Sequence, residues 1–228
     1  FFCYFCVMNM MQLSERILVN KDWATVLFVL AIAIIALNKS IFSVRFNEFI
    51  KLGYSDKYNK VYKDTNNLLN WFTISMFVIQ LISFSFFILL LLSFFNYTKT
   101  DNYITYIQIV TFLFVFVLSK FLIEKIVGTA IDSESVVDQF NLIKTNYRAF
   151  LGFILLPVNI VLYYNAVPIK EVFYVILGVF LLYNVFTYYF LVKTYQKIIL
   201  GKLFYFILYL CTLEIAPYYF MYYWVTKN

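Results

Sequence analysis

Six apolar stretches of roughly twenty residues, joined by short connections, leave this chain few folds to choose from. They fall at about 23–43, 70–95, 103–126, 149–166, 172–192 and 203–225. Each is long enough, or nearly so, to cross a hydrocarbon core about 30 Å thick at 1.5 Å per residue. A soluble protein can bury helices of this kind only by covering them with polar ones. Only 13% of these residues are charged and 64% are hydrophobic, whereas soluble domains carry about a quarter charged. The polar cover is missing. Period-two alternation is absent too, which removes a membrane β-barrel. The sequence therefore predicts an all-α integral membrane bundle of about six transmembrane helices, with a mean hydropathy of +0.82.

Charge then orients the bundle. The first, third and fifth connections carry thirteen basic residues, among them Lys51, Lys57, Lys60, Lys63, Lys120 and Lys144. The opposite side carries five: Arg16, Lys21, Lys99, Lys170 and Lys227. Positive residues stay on the cytoplasmic side, so both termini are expected outside, in the periplasm of a bacterial inner membrane. The net charge of +6 sits at the ends of apolar segments and not in a run within a soluble fold, so nucleic acid is not an expected partner. The chain opens on Phe1, and Met10 or Met11 reads as the true start. Residues 1–10 are then a leader without structural role, and 11–228 a single transmembrane helical domain.

Two cytoplasmic connections carry helical patterns. In 44–52, Phe46, Phe49 and Ile50 share one face while Arg45, Glu48 and Lys51 share another, and Gly53 suits a stop. In 54–64, Tyr54, Tyr58, Val61 and Tyr62 repeat opposite Lys57, Lys60 and Asp64. That is the build of a short amphipathic helix lying among headgroups, with Lys51, Lys57, Lys60 and Lys63 toward anionic lipid. An ordinary solvated loop is the alternative. In 132–147 the acidic start at Asp132 and Glu134 and the basic end at Lys144 and Arg148 match a helix macrodipole. A third short amphipathic helix is expected there.

Chemistry is scarce. The chain has no His, which removes imidazole acid–base catalysis and imidazole metal ligation together. No phosphate-cradling glycine loop occurs, and no aspartate pair falls inside a span. Cys3, Cys6 and Cys211 supply too few ligands for a zinc site. No cofactor and no enzymatic activity are expected. Polar groups at membrane depth are the remaining signal. Glu214 lies about 18 Å from either flanking lysine at 1.5 Å per residue, near the bilayer centre, with Pro217 three residues on. A carboxylate there must be paired, protonated or wet. Lys120 and Glu124 form an i, i+4 pair in the third span, with Glu214 as an alternative partner. Asn159 adds a buried amide, and Pro157 a kink in the fourth span.

The segments KLFYFILYLCTLEIAPYYFMYYW (202–224), KFLIEK (120–125) and YRAFLGFILLPVNI (147–160) resemble an uncharacterised bacterial inner-membrane family known as a domain of unknown function. ERILVNKDW (15–23) and RFNEFIKLGYSDKY (45–58) fit it as well, so the likeness runs from about Met11 to Asn228. It implies a multi-spanning helical fold in a bacterial cytoplasmic membrane and no particular activity. The leading expectation is a non-enzymatic subunit or accessory of a membrane assembly, with lipids, other membrane proteins or further copies of itself as partners. A small proton- or ion-coupled transporter using Glu214 is the alternative.

Overall fold

The computed structural model describes residues 22–53, 57–62, 70–130, 134–165, 174–179, 181–183 and 185. Among these residues the structure is helical throughout, with turns and no strand. Four helices are long and apolar enough to cross a membrane. They are α1 (Asp22–Ile41), α4 (Trp71–Phe94), α5 (Tyr103–Ala130) and α6 (Glu134–Asn165), with α2 (Ser43–Ile50) and α3 (Lys57–Val61) between the first two. These four answer to the first four apolar stretches of the sequence. The fifth is represented by a shorter apolar helix at Tyr174–Tyr183. The sixth, the 1–10 leader, Lys63, Glu214 and Pro217 all lie outside the described residues.

Local chemistry sets the helix ends. Asn70 caps α4, its side-chain oxygen accepting from the Phe72 N–H at 3.3 Å. At the other end Asn96 takes a left-handed conformation, φ 61°. The Tyr97 N–H then reaches back to the Leu92 carbonyl at 2.9 Å and the Asn96 N–H to that of Ser93 at 3.0 Å. This is a Schellman stop, made with the one non-glycine residue type that tolerates that backbone well. Asn102 starts α5 six residues later, accepting from the Ile104 and Thr105 N–H groups at 3.1 and 3.3 Å. So tight a connection forces α4 and α5 to run antiparallel.

One end of the bundle is tied by aromatic rings. Trp23 from the start of α1 stacks on Phe86 near the end of α4 at 5.6 Å, and Phe28 on Phe86 at 4.3 Å. Tyr106 of α5 and Tyr163 of α6 pack on the same Phe86 at 4.5 and 5.9 Å. Starts of α1 and α5 thus meet ends of α4 and α6, so the four long helices alternate in direction. α4 is the inner helix, with 56% of its apolar stretch buried. It meets α6 almost backbone to backbone: a Cβ placed on Gly152 would lie 2.7 Å from Gln80 Cα. Seven residues on, Asn159 is fully buried and its Nδ2 donates to the Ser83 carbonyl at 2.7 Å.

Two details depart from the sequence pattern. From Glu134 on, the stretch expected as a separate amphipathic helix (132–147) is instead the first part of α6, which runs unbroken for 32 residues to Asn165. Neither glycine nor proline stands between Tyr147 and Leu151 to stop it, and Pro157 is absorbed within the helix. At 1.5 Å per residue α6 is about 48 Å long, well beyond a hydrocarbon core, so its first turns extend past any span. In the strap α2–α3, Phe46 and Phe49 point inward as the spacing predicts, but Ile50 and Val61 are exposed and Arg45 is buried. Lys51 stays outward, 3.8 Å from Glu48. The backbone of Lys57 and Lys60 lies in α3, while their side chains lie outside the description.

The Gly152 contact gives the first test. Gly152→Ala should force α4 and α6 apart against main-chain atoms that cannot swing away, costing about 1–3 kcal/mol. A lower thermal midpoint in neutral detergent checks it. An unchanged midpoint would mean that the helices do not approach as closely as described.

Candidate functional site: a basic cavity at one end of the bundle

At the end opposite the aromatic tie, the last turns of α5 meet the first third of α6 beside the start of α4. The polar side chains brought there come from three helices. Glu124 of α5 and Lys144 of α6 form an ion pair, Nζ to Oε1 3.0 Å, with each side chain 4% exposed. Lys120, one helical turn before Glu124, is buried as well. The three groups line a cavity of about 440 Å³. Lys125, Asp138 and Arg148 complete its charged wall, and Ile74, Phe77, Val117, Leu118 and Phe121 form its apolar one.

Lys120 and Glu124, the i, i+4 pair of the third apolar stretch, both stand on this wall, and Lys144 joins them, although the charge pattern assigns it to the basic end of a short helix. The continuity of α6 changes that, since Lys144 lies in the third turn of a helix packed along α5. One signal was available: with period 3.6, Lys144 shares a face with Tyr147, Leu151 and Leu155, all buried. A lysine on an apolar helical face needs an anion, and Glu124 is the carboxylate in the facing helix. Asn159 lies elsewhere, on the α4 side of α6 beside Ser83. The structure therefore does not join it to the cavity.

Asn141 is the other residue that sequence reasoning passed over. It lines the cavity and is buried, yet neither its Oδ1 nor its Nδ2 finds a hydrogen-bond partner among the described residues. A buried amide ordinarily has both atoms satisfied.

A second polar node braces the strap against this end. Buried Arg45 donates through Nε to the Tyr58 hydroxyl and through Nη2 to Thr73 Oγ1, both at 3.1 Å. Its guanidinium lies 4.8 Å from the Tyr62 ring centre and 4.9 Å from that of Phe72. Burial raises the Tyr58 hydroxyl above its ordinary pKa, an effect that Arg45 partly opposes. Alongside, Asn146 Nδ2 donates to Asn59 Oδ1 at 3.0 Å, pinning α3 to α6. Arg45 was expected among headgroups; aromatic faces and two hydroxyls receive it here in place of water.

Removing one partner of a buried ion pair leaves the other charge uncompensated, which costs about 3–5 kcal/mol. Lys144→Met should accordingly lower the yield of folded protein in detergent, and Glu124→Gln/Lys144→Met should recover most of it. A double variant as damaged as the single one would show that the two charges do not act on each other.

The family model described as domain of unknown function DUF4271 matches residues 24–225, and the chain belongs to that family, as its resemblance implies. No curated protein and no solved structure matches the chain.

Proposed function

We propose that this DUF4271 chain is a multi-pass protein of a bacterial inner membrane and serves there as a non-enzymatic subunit or accessory of a larger assembly. The observation that carries the reading is the surface of α5. Only 11% of its apolar stretch is buried, and Phe112, Phe114, Val115, Leu122 and Ile123 all face outward. In water each such side chain would forgo roughly 1.5–3 kcal/mol of burial. Against lipid or the apolar helices of another membrane protein it forgoes nothing, so a membrane, with or without a partner helix on this face, supports the reading. The family assignment is compatible with this reading and supplies no activity.

A carrier is the second reading, and one observation favours it. Glu124, Lys144 and Lys120 are ionisable groups buried beside a cavity, the usual setting for proton or ion coupling. Glu214, the residue that the sequence puts nearest the bilayer centre, lies outside the described residues. Flux into liposomes that is lost in Glu124→Gln or Glu214→Gln, with folding retained, would favour the carrier.

Three measurements test the first reading. The full chain should stay with membranes after alkaline carbonate washing. Reporter fusions should place the C-terminus outside, and positions near Lys60 and Lys197 in the cytoplasm. Purification in mild detergent should retain a stoichiometric membrane-protein partner. A chain that carbonate strips off would end the membrane reading, and a C-terminus in the cytoplasm would reverse the charge-based orientation.

A further inference from the structure

We infer that the outward face of α5 pairs with α5 of a second copy of this chain, an inference that rests on the membrane reading above and names the partner on this face. Ile104, Gln108, Thr111, Val115, Leu118 and Leu122 follow one another at spacings of four and three residues, and all six are exposed. That is the a/d stripe of a heptad, the repeat by which one helix packs along another over many turns. The opposite side of α5 carries Tyr106 and Lys120, both buried in the bundle. The stripe therefore points away from the helices against which α5 packs.

Its polar residues set the stripe apart from the other outward surfaces. From Val26 to Leu37 every exposed residue of α1 is apolar. Within α4 the exposed residues are Trp71, Ile74 and Val78, and from Leu151 to Tyr164 those of α6 are Ile154, Pro157, Val161 and Tyr164. Their only polar atoms belong to an indole and a phenol at helix ends, where membrane interfaces hold such rings. By contrast α5 exposes Gln108 and Thr111 on the stripe and Ser119 beside it. At 1.5 Å per residue these lie about 8, 12 and 24 Å from Tyr103, within the depth of a hydrocarbon core. A hydroxyl can turn back to a carbonyl of its own helix. The Gln108 amide carries two N–H donor positions and an acceptor oxygen, and hydrocarbon satisfies none of them. Another helix can.

A second copy is the partner that needs nothing further. Copies oriented by the same charge bias lie the same way up in the membrane. A two-fold axis along the membrane normal then sets α5 parallel to α5, with each residue opposite its own counterpart at the same depth. Such an arrangement suits groups that can pair with themselves. Gln108, Thr111 and Ser119 are uncharged, and each combines a donor with an acceptor. The Gln108 Nε2 of each copy can donate to the Oε1 of the other. One polar residue in an apolar heptad stripe also fixes the register of the pair. Lys125, the next stripe position, is exposed about 33 Å from Tyr103, where its ammonium reaches the headgroups and stays solvated.

The test uses the full chain in liposomes of dioleoylphosphatidylcholine. Donor- and acceptor-labelled chains should show energy transfer that saturates as the protein-to-lipid ratio rises. Gln108→Leu should move half-saturation to about ten-fold higher protein density, the scale of hydrogen bonds between membrane helices. Gln108 is exposed, so this variant should fold, and an unchanged helical circular dichroism spectrum checks that. In a chain with Cys3, Cys6 and Cys211 changed to serine, oxidation should join Thr111→Cys or Val115→Cys to itself and leave Val29→Cys on α1 uncoupled. Energy transfer no greater than random proximity gives, or a curve that Gln108→Leu does not move, would overturn the pairing. Crosslinks as frequent at Val29→Cys, or crosslinks from Thr111→Cys in native membranes to a different protein alone, would overturn it too. Carbonate extraction is read separately: a chain stripped from membranes defeats the membrane reading, whereas one that stays but remains monomeric defeats only the pairing.

Discussion

The approach of α6 to α4 at Gly152 is the constraint from which the rest follows. With 2.7 Å between Gln80 Cα and a Cβ placed on Gly152, no other residue type fits without moving the main chain. The two helices are thereby set close enough for the fully buried Asn159 to donate to the Ser83 carbonyl. Leaving that buried N–H without an acceptor would be costly, so the hydrogen bond and the close approach support each other. Farther toward the start of α6 the same axis carries Lys144 alongside Glu124 and Asn146 alongside Asn59. The strap α2–α3 is then held between α6 and the start of α4, with Phe49 edge-on to Phe72 and Phe150. One small residue in the inner pair of helices sets where the polar side chains of the others can go.

Much of the helical plan could be read in advance because long apolar segments admit so few structures. Where a helix would begin and end was legible wherever a side chain makes the cap, as Asn70 and Asn102 do. Stops made without a signal residue were not. Phe42 breaks α1 from α2 with neither glycine nor proline beside it, and α6 continues where a charge pattern suggested two helices. A pattern of charges reports where a macrodipole would be comfortable, not whether the backbone turns. The site was half legible for a related reason. Lys120 and Glu124 stood out because they interrupt an apolar run, whereas Lys144, Asn141 and Arg45 sit in polar neighbourhoods where a charge is unremarked. For Asn141 and Arg45 packing alone shows the inward direction, whereas for Lys144 the helical period also points that way once α6 is known to be continuous. Glu214 cannot be compared in this way, since it lies outside the described residues.

The placement of buried polarity has an energetic logic. An ion pair such as Glu124–Lys144 contributes little net stability, because desolvating two charges consumes most of their attraction. Leu and Ile in its place would hold α5 to α6 about as well. What the pair adds is a penalty for every other register. Sliding α6 along α5 by a single turn, about 5.4 Å, would strand both charges without water. The rings and branched side chains around them are nearly interchangeable from turn to turn, and in an apolar surrounding they have no hydrophobic drive toward one register. Arg45 does for the strap what Lys144 does for α6: moving the strap would break its two hydrogen bonds and its ring contacts together. Both cations act at the same end of the bundle, next to the cavity. That end is therefore the one whose geometry is set by charge, while the opposite end, around Phe86, is set by the fit of aromatic rings.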